Sequence, residues 1–293
     1  MTFYCLASPK HHPQTVALLT GACSARSLPY ILIDPATFDY TTDARLQAGD
    51  LLYRVAAPRR ANGQAHIIEK YLLSDQIATV YRSLVNSQFT YNASTIIHQY
   101  LIFLKRQLSF PKTILSAGTN RQLLANHVHY LGGFPVVAKT AHGSHGIGTM
   151  RIDSFPALFS LADFMAEHSH GLTLQQYIQT ISSARVIVVG GQVVDSIEYI
   201  VPADDFRSNV GTTPRVRPRR FPASVNALAI AAVEALDLEA GGVDVLIDAA
   251  HHAYLAEVNM PFNFSRAQLI SGVDIAGQLI DFLIAKSRRL SHA

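Results

Sequence analysis

Between Val243 and Asn259 the chain reads Val-Asp-Val-Leu-Ile-Asp-Ala-Ala-His-His-Ala-Tyr-Leu-Ala-Glu-Val-Asn. Two apolar runs flank a short polar turn, which predicts an antiparallel hairpin with acidic residues at matching heights on its arms. With the turn centred on Ala250 and His251, Ile247 lies opposite Tyr254 and Asp244 opposite Glu257. Side chains two apart share a face, so Asn259 joins Glu257 and Asp244, with facing Cβ atoms about 5 Å apart. Like charges so placed destabilise a sheet unless a hard cation, which prefers oxygen ligands, compensates them. Magnesium (or manganese) is the ion this trio predicts. A register shifted by one would instead turn Asp244 to the other face as a solvated carboxylate.

A second constraint lies upstream. Lys139-Thr-Ala-His-Gly-Ser-His-Gly-Ile-Gly148 joins the apolar run Pro135–Ala138 to Thr149–Ile152. Three glycines, Gly143, Gly146 and Gly148, let a backbone approach an anion and turn its amides towards it. Lys139, at the end of its strand, can set a point charge on the same phosphates. His142 and His145 can donate to them as well. The other reading is a mobile glycine hairpin with a surface lysine. The loop is not a Walker A motif, because no Gly-Lys-Ser/Thr follows and no helix begins at its end.

Around these motifs the chain alternates strand and helix, then turns antiparallel. Phe3–Ala7, Tyr30–Ile33 and Leu51–Val55 read as strands of a small, mostly parallel sheet, with a helix over Gln14–Ser24. A helix follows over Ser94–Arg106, then an edge strand around Phe110–Leu115. Thr119 is placed to cap a helix running to Leu131, and another helix covers Phe155–Glu167. Arg185–Val189 meets Gln192–Val194 across Gly190-Gly191, a two-residue hairpin turn. Helices over Phe221–Leu236 and from Asp274 complete the pattern.

Hydrophobic residues make up 49% of the 293, charged residues 15%, and net charge is +3. That balance excludes a disordered chain and does not point to nucleic acid. Cys5 and Cys23 form no metal spacing and read as reduced core residues. No signal-peptide pattern opens the chain, and no stretch reaches the roughly 18 apolar residues of a membrane span. A soluble cytoplasmic protein with no membrane partner is expected, and homo-oligomerisation is left open. His168, His170, His251 and His252 read as solvated surface residues.

Arg215, Arg217, Arg219 and Arg220 stand within six residues, with Pro214 and Pro218 holding the stretch extended. Few acidic residues lie nearby in sequence, which favours a clamp for an anionic substrate over a solvated loop. Arg266 either pairs with a substrate carboxylate or simply opens a helix.

In this order, the motifs resemble the ATP-grasp superfamily, nearest to RimK-type glutamate ligases and bacterial glutathione synthetases. The resemblance rests on Val-Val-Ala-Lys139 with its loop, Leu174-Gln-Gln-Tyr-Ile178, Arg185-Val-Ile-Val-Val, Asp205-Phe-Arg-Ser-Asn209, Gly242-Val-Asp244 and Glu257-Val-Asn259. It implies an α/β (α+β) ATP-grasp fold with an N-terminal Rossmann-like pre-ATP-grasp subdomain over 1–90. A central lobe would cover 91–180 and a C-terminal lobe with the metal site 181–293.

The resemblance also implies an ATP-dependent carboxylate–amine ligase that works through an acyl phosphate, releases ADP and phosphate, and uses ATP and magnesium. Its partners would be small-molecule or peptide carboxylates and amines, which the arginine run makes acidic. By the same resemblance Lys139, Gly143, Ser144, Gly146, Ile147 and Gly148 would hold the ATP phosphates, and Gln176, Tyr177 and Ile178 the adenine. Ser183, Ser208 and Asn209 would complete the nucleotide site. Arg185 and Arg207 would lie near the transferred phosphoryl group, and Asp244, Glu257 and Asn259 would hold the metal. Apart from the resemblance, the residues themselves put Arg217, Arg219, Arg220 and Arg266 against the substrate.

The chain departs from the family in three places. Ser183 stands where an acidic residue is frequent, Asn92-Ala-Ser-Thr95 lacks a common lysine, and Met260-Pro-Phe-Asn-Phe264 replaces the usual continuation. Two alternatives follow: a ligase that modifies a precursor peptide, or a nucleotide-binding regulatory protein without turnover.

Overall fold

The computed structural model of the chain describes residues 1–42, 46–56, 59–83, 96–140, 148–168, 171–202, 204–207 and 215–292. It is an α/β (α+β) fold of three sheets. In the first, β1 (Phe3–Leu6) runs parallel between β2 (Tyr30–Ile33) and β3 (Leu51–Arg54). Every residue of β1 and β3 is buried, as strands covered on both faces require. Helix α1 (Pro13–Ser24) opens on Pro13 and turns Thr15, Leu19, Ala22 and Cys23 inward, a helical spacing that fixes its buried face. Both cysteines are buried free thiols, as the sequence predicts. Burial pushes Cys5 up to about 12 and Cys23 to about 11.

Helix α2 (Arg59–Leu72) brings Glu69 under β3. There Arg54 Nε lies 2.7 Å from Glu69 Oε2, and the Tyr81 hydroxyl donates to both carboxylate oxygens at 3.0 and 3.1 Å. Burial pushes the Glu69 carboxyl up, but the Arg54 charge and the bonds from His66, Arg54 and Tyr81 bring it below the ordinary range. Tyr81 also bridges to Leu238, so this buried cluster ties the N-terminal sheet to the C-terminal half.

Helix α3 (Ile96–Lys105) precedes the second sheet, whose order is β4 (Thr113–Ala117), β7 (Leu172–Gln176), β5 (Val136–Thr140) and β6 (Thr149–Ile152). Strand β4 is an edge, as its sequence suggests. Helices α4 (Arg121–Tyr130) and α5 (Phe155–Glu167) cover the sheet through Leu124, Val128, Leu158, Ala162 and Met165. The cap of α4 is not Thr119 but Asn120, whose side chain accepts from the Leu123 amide at 2.9 Å. The helix begins one residue later than expected, leaving Thr119 outside the capping position.

The third sheet runs β10 (Val216–Pro218), β9 (Gln192–Tyr199), β8 (Thr180–Val189), β11 (Ala240–Asp248) and β12 (Ala253–Asn259), all antiparallel. Gly190 and Gly191 join β8 to β9 with φ of +61° and +76°, values that glycine adopts freely. Helix α6 (Ala223–Ala235) packs Val225, Ala229, Ala232 and Val233 with Ala184, Val186, Val188, Val243 and Val245 in one core. Ile187, Val189 and Ile197 instead share a core with the first sheet and helix α8 (Ile275–Leu290). Asp274 caps α8 where the sequence placed its start, accepting from the Gly277 amide at 2.9 Å. A short helix, α7 (Ser265–Ser271), carries Arg266 in its first turn, where one reading of that arginine placed a helix start.

The hairpin register needs one correction. Ile247 lies opposite Ala253, not Tyr254, which faces Leu246 instead. The turn therefore closes one residue tighter than the symmetric reading assumed. A bulge at Ala256 then restores the count, so Asp244 does lie opposite Glu257. Among the described residues, no single helix is long and apolar enough to cross a membrane.

Candidate active site

The third sheet places Arg185 of β8 opposite Asp244 of β11, and Asp244 opposite Glu257 of β12. Three adjacent strands thus present a cation and two carboxylates on one face. Arg185 donates Nε to Asp244 Oδ1 at 2.5 Å and Nη2 to Oδ2 at 2.8 Å, a two-point pair. Asn259 Nδ2 donates to Asp244 Oδ2 at 3.3 Å and to Glu257 Oε1 at 3.2 Å. The expected trio is therefore assembled.

Its electrostatics are uneven. Burial pushes the Glu257 carboxyl up, and the neighbouring Asp244 charge pushes it further; Arg185 only partly offsets them. Gly242, opposite Asn259, is needed for close packing, because a Cβ there would stand 3.1 Å from Phe262 Cβ and 3.3 Å from Arg185 Cδ.

The donor set fits a hard divalent cation: two carboxylates and an amide, all oxygen-bearing, with more negative charge than Arg185 neutralises. Among the described residues there is no cluster of three or more His, Cys, Asp or Glu that offers a rival metal site. Asn259 presents its nitrogen to both carboxylates, so holding a cation requires the amide to turn its oxygen inward.

The second sheet meets helix α3 through Lys139, the last residue but one of β5. Its ammonium donates to the Tyr100 hydroxyl at 3.1 Å. Gly148 closes the glycine loop onto β5, its carbonyl accepting from the Thr140 amide at 3.0 Å. Gln176 ends β7 against Lys112, donating its amide to the Lys112 carbonyl at 2.8 Å, and the Ile178 carbonyl accepts from Thr180 Oγ1 at 3.1 Å. Between them the Tyr177 ring lies 5.1 Å from the Arg151 guanidinium and 6.3 Å from the Phe206 ring. Arg207, beside Phe206, pairs with Asp205 at 2.8 Å. The 176–178 segment thus lies beside Phe206.

Comparison with known proteins matches residues 94–283 to the RimK-like ATP-grasp domain. The chain belongs to the RimK-like ATP-grasp family. A probable alpha-L-glutamate ligase of Serratia proteamaculans is 31% identical over 163 residues, covering 55% of this chain and 54% of that protein. A ribosomal protein bS6–L-glutamate ligase of Salmonella paratyphi B is 32% identical over 163 residues, covering 53% and 52%. The chain spans about half the length of these curated relatives. The ATP-grasp ligase PsnB, solved with a precursor variant, magnesium and ADP, superposes with a TM-score of 0.72 over 97% of this chain and 98% of that one. At 17% identity that likeness is one of fold.

The third sheet also holds pairs that the sequence concealed. Arg217 and Arg219 were expected to lack a neutralising acid, yet both lie 2.5 Å from the buried Glu198 carboxylate. Glu198 faces Ala184, the neighbour of Arg185 in β8, so it projects from the sheet face opposite to Asp244. Burial pushes Glu198 up, but Ser182, Arg217 and Arg219 hold it below its ordinary value. Arg220 is exposed.

Arg266 of α7 and Arg185 both act on Tyr199, with the Arg185 guanidinium 5.9 Å from its ring. Tyr199 shares the Asp244 face, beside Ser183, and was missed. Gly143, Ser144, Gly146, Ile147, His142, His145, His170, Ser208, Asn209, Pro214 and the 92–95 stretch lie outside the described residues.

Proposed function

We propose that the chain is an ATP-dependent carboxylate–amine ligase that forms an amide through an acyl phosphate, releasing ADP and phosphate. The carrying observation is the Arg185–Asp244–Glu257–Asn259 constellation on one sheet face. Family membership supports ATP as the phosphoryl donor. Asp244, Glu257 and Asn259 would hold magnesium or manganese, which when bound neutralises phosphate charge as the γ-phosphoryl group leaves.

The protein's own groups do the rest. Lys139 would set its ammonium on the phosphates, and backbone amides of the 143–148 stretch would join it there. Tyr177, wedged against Arg151 and Phe206, would pack on the adenine between Gln176 and Ile178. Ser183 would bond the ribose, and Ser208 and Asn209 the nucleotide. Arg185 and Arg207 would steady the charge on the transferred group. No protein nucleophile is needed, because the substrate carboxylate attacks phosphorus and the amine then attacks the acyl carbon. The lobes would divide near residues 90 and 180.

Since Glu198 engages Arg217 and Arg219, we assign the substrate carboxylate to Arg266, beside Tyr199. The name of the ribosomal protein bS6–L-glutamate ligase among the relatives supports a peptide or protein acceptor. A screen of acidic peptides and amines for stimulated ADP release, with mass spectrometry of the products, tests this reading. ATP turnover indifferent to every carboxylate–amine pair would favour a regulatory nucleotide-binding protein.

A further inference from the structure

Tyr100 is 1% exposed, yet its hydroxyl joins two functional elements. It accepts from Lys139 Nζ at 3.1 Å and donates to the Ala256 carbonyl at 3.0 Å. A phenol has one hydrogen. With that hydrogen committed to Ala256, its lone pairs are left for the ammonium. The ring stacks on Phe110 at 5.4 Å and 13°, and tilts against Phe103 at 6.3 Å, so it cannot swing away.

Ala256 is the extra residue of the bulge that sets Glu257 opposite Asp244. The preceding residue of α3, Gln99, holds the other side of Glu257. Its amide donates to the Val258 carbonyl and accepts from the Val258 amide, both at 2.8 Å. One helix therefore grips the edge strand on both sides of Glu257 and, through Tyr100, also holds the lysine of the neighbouring sheet.

We propose that Tyr100 is a positioning residue that fixes Lys139 relative to the Glu257 carboxylate, so that one phosphate chain can meet both. This rests on the ATP-grasp ligase reading. The hydroxyl acts through Lys139 and the bulge and does not touch substrate. An ordinary core tyrosine would contribute stability but would not couple to Lys139.

The test is a double-mutant cycle read by calorimetric titration of Mg·ADP into the full chain. Tyr100→Phe keeps the stacked ring and should weaken binding roughly tenfold, the scale of one hydrogen bond to a charged group. Lys139→Met should weaken it as well. The double variant should fall short of the product of the two losses, because the second change removes what the first relied on. Multiplicative losses, or unchanged binding in Tyr100→Phe, would overturn the proposal.

Failure of the unaltered chain to bind Mg·ADP would instead sink the ligase reading. If Tyr100→Phe does not fold, p-aminophenylalanine at position 100 keeps the ring and a donor for the Ala256 carbonyl but accepts poorly, because its nitrogen lone pair is delocalised into the ring. Mg·ADP affinity should then fall while the melting temperature holds. Unchanged affinity would overturn the proposal.

Discussion

Arg185 occupies both carboxylate oxygens of Asp244, at 2.5 and 2.8 Å, with Glu257 directly across the strand pair. The residue expected to meet phosphate thus lies on a residue expected to hold the metal. Binding of nucleotide and cation must exchange this pair for new partners. Arg185→Gln should therefore bind manganese more tightly than the natural chain when no nucleotide is present, while losing turnover. Electron paramagnetic resonance of free manganese reads the first effect; equal affinities would show that the pair does not restrain the site.

The two carboxylates should differ in stability while agreeing in function. Glu257→Gln removes a half-buried like charge that desolvation and Asp244 already disfavour, so its melting temperature at neutral pH should hold or rise. Asp244→Asn deprives the partly buried Arg185 of its counter-charge. It should cost up to about 3 kcal/mol, short of the full loss of a buried pair because the amide still accepts a hydrogen bond. Both should abolish magnesium-dependent ADP release. Near-normal release in both would remove the metal assignment.

Acid should unfold the N-terminal half through Glu69. Its carboxyl lies below the ordinary range when folded, so the folded state binds fewer protons than the unfolded one in that window. The stability it confers is complete above the ordinary glutamate value and is lost as pH falls through the lower folded value. Urea unfolding of Glu69→Ala, which strands Arg54, should show a loss of about 3–5 kcal/mol at pH 7. A loss that persists undiminished well below the folded value would contradict this linkage.

The arginines should separate by role. Replacing Arg217 and Arg219 with alanine leaves buried Glu198 unpaired and should cost about 1–3 kcal/mol, with the acceptor KM unchanged. Arg266→Ala should raise that KM and flatten its salt dependence. The reverse pattern in steady-state kinetics would restore the arginine run as the substrate clamp.

The cysteines offer a control on the fold itself. With Cys5 and Cys23 buried and their thiols pushed up by burial, neither should react with a thiol reagent at pH 8 until the chain unfolds. Fast labelling of the native protein would contradict the packing described.

Alternating hydrophobicity was enough to find the Asp244–Glu257 hairpin, since a two-residue period carries its own face assignment. It could not show the Ala256 bulge, because inserting one residue changes the register without changing composition. The β8–β9 hairpin illustrates the cost of that blindness. Continuing the Gly190-Gly191 turn without interruption would face Arg185 with Ser196, whereas the bulge beyond Ile187 and Val188 makes it Ile197 and puts Tyr199 on the active face. Glu198 was hidden for a related reason: its partners lie 19 and 21 residues away in sequence but on the adjacent strand edge. Gln99 and Tyr100 were legible only as parts of an amphipathic helix. Their grip on β12 is on its backbone, and backbone groups leave no mark in a side-chain pattern.

Analysis of the nucleotide product tests the ligase most directly. The full chain is incubated with Mg·ATP, a panel of glutamate- and aspartate-containing peptides, and hydroxylamine in place of the amine. Peptide-stimulated release of ADP with formation of a peptide hydroxamate is the predicted result, because an acyl phosphate would be trapped. Hydroxamate accompanied by AMP and pyrophosphate would mean that the carboxylate is adenylated, and would contradict the account.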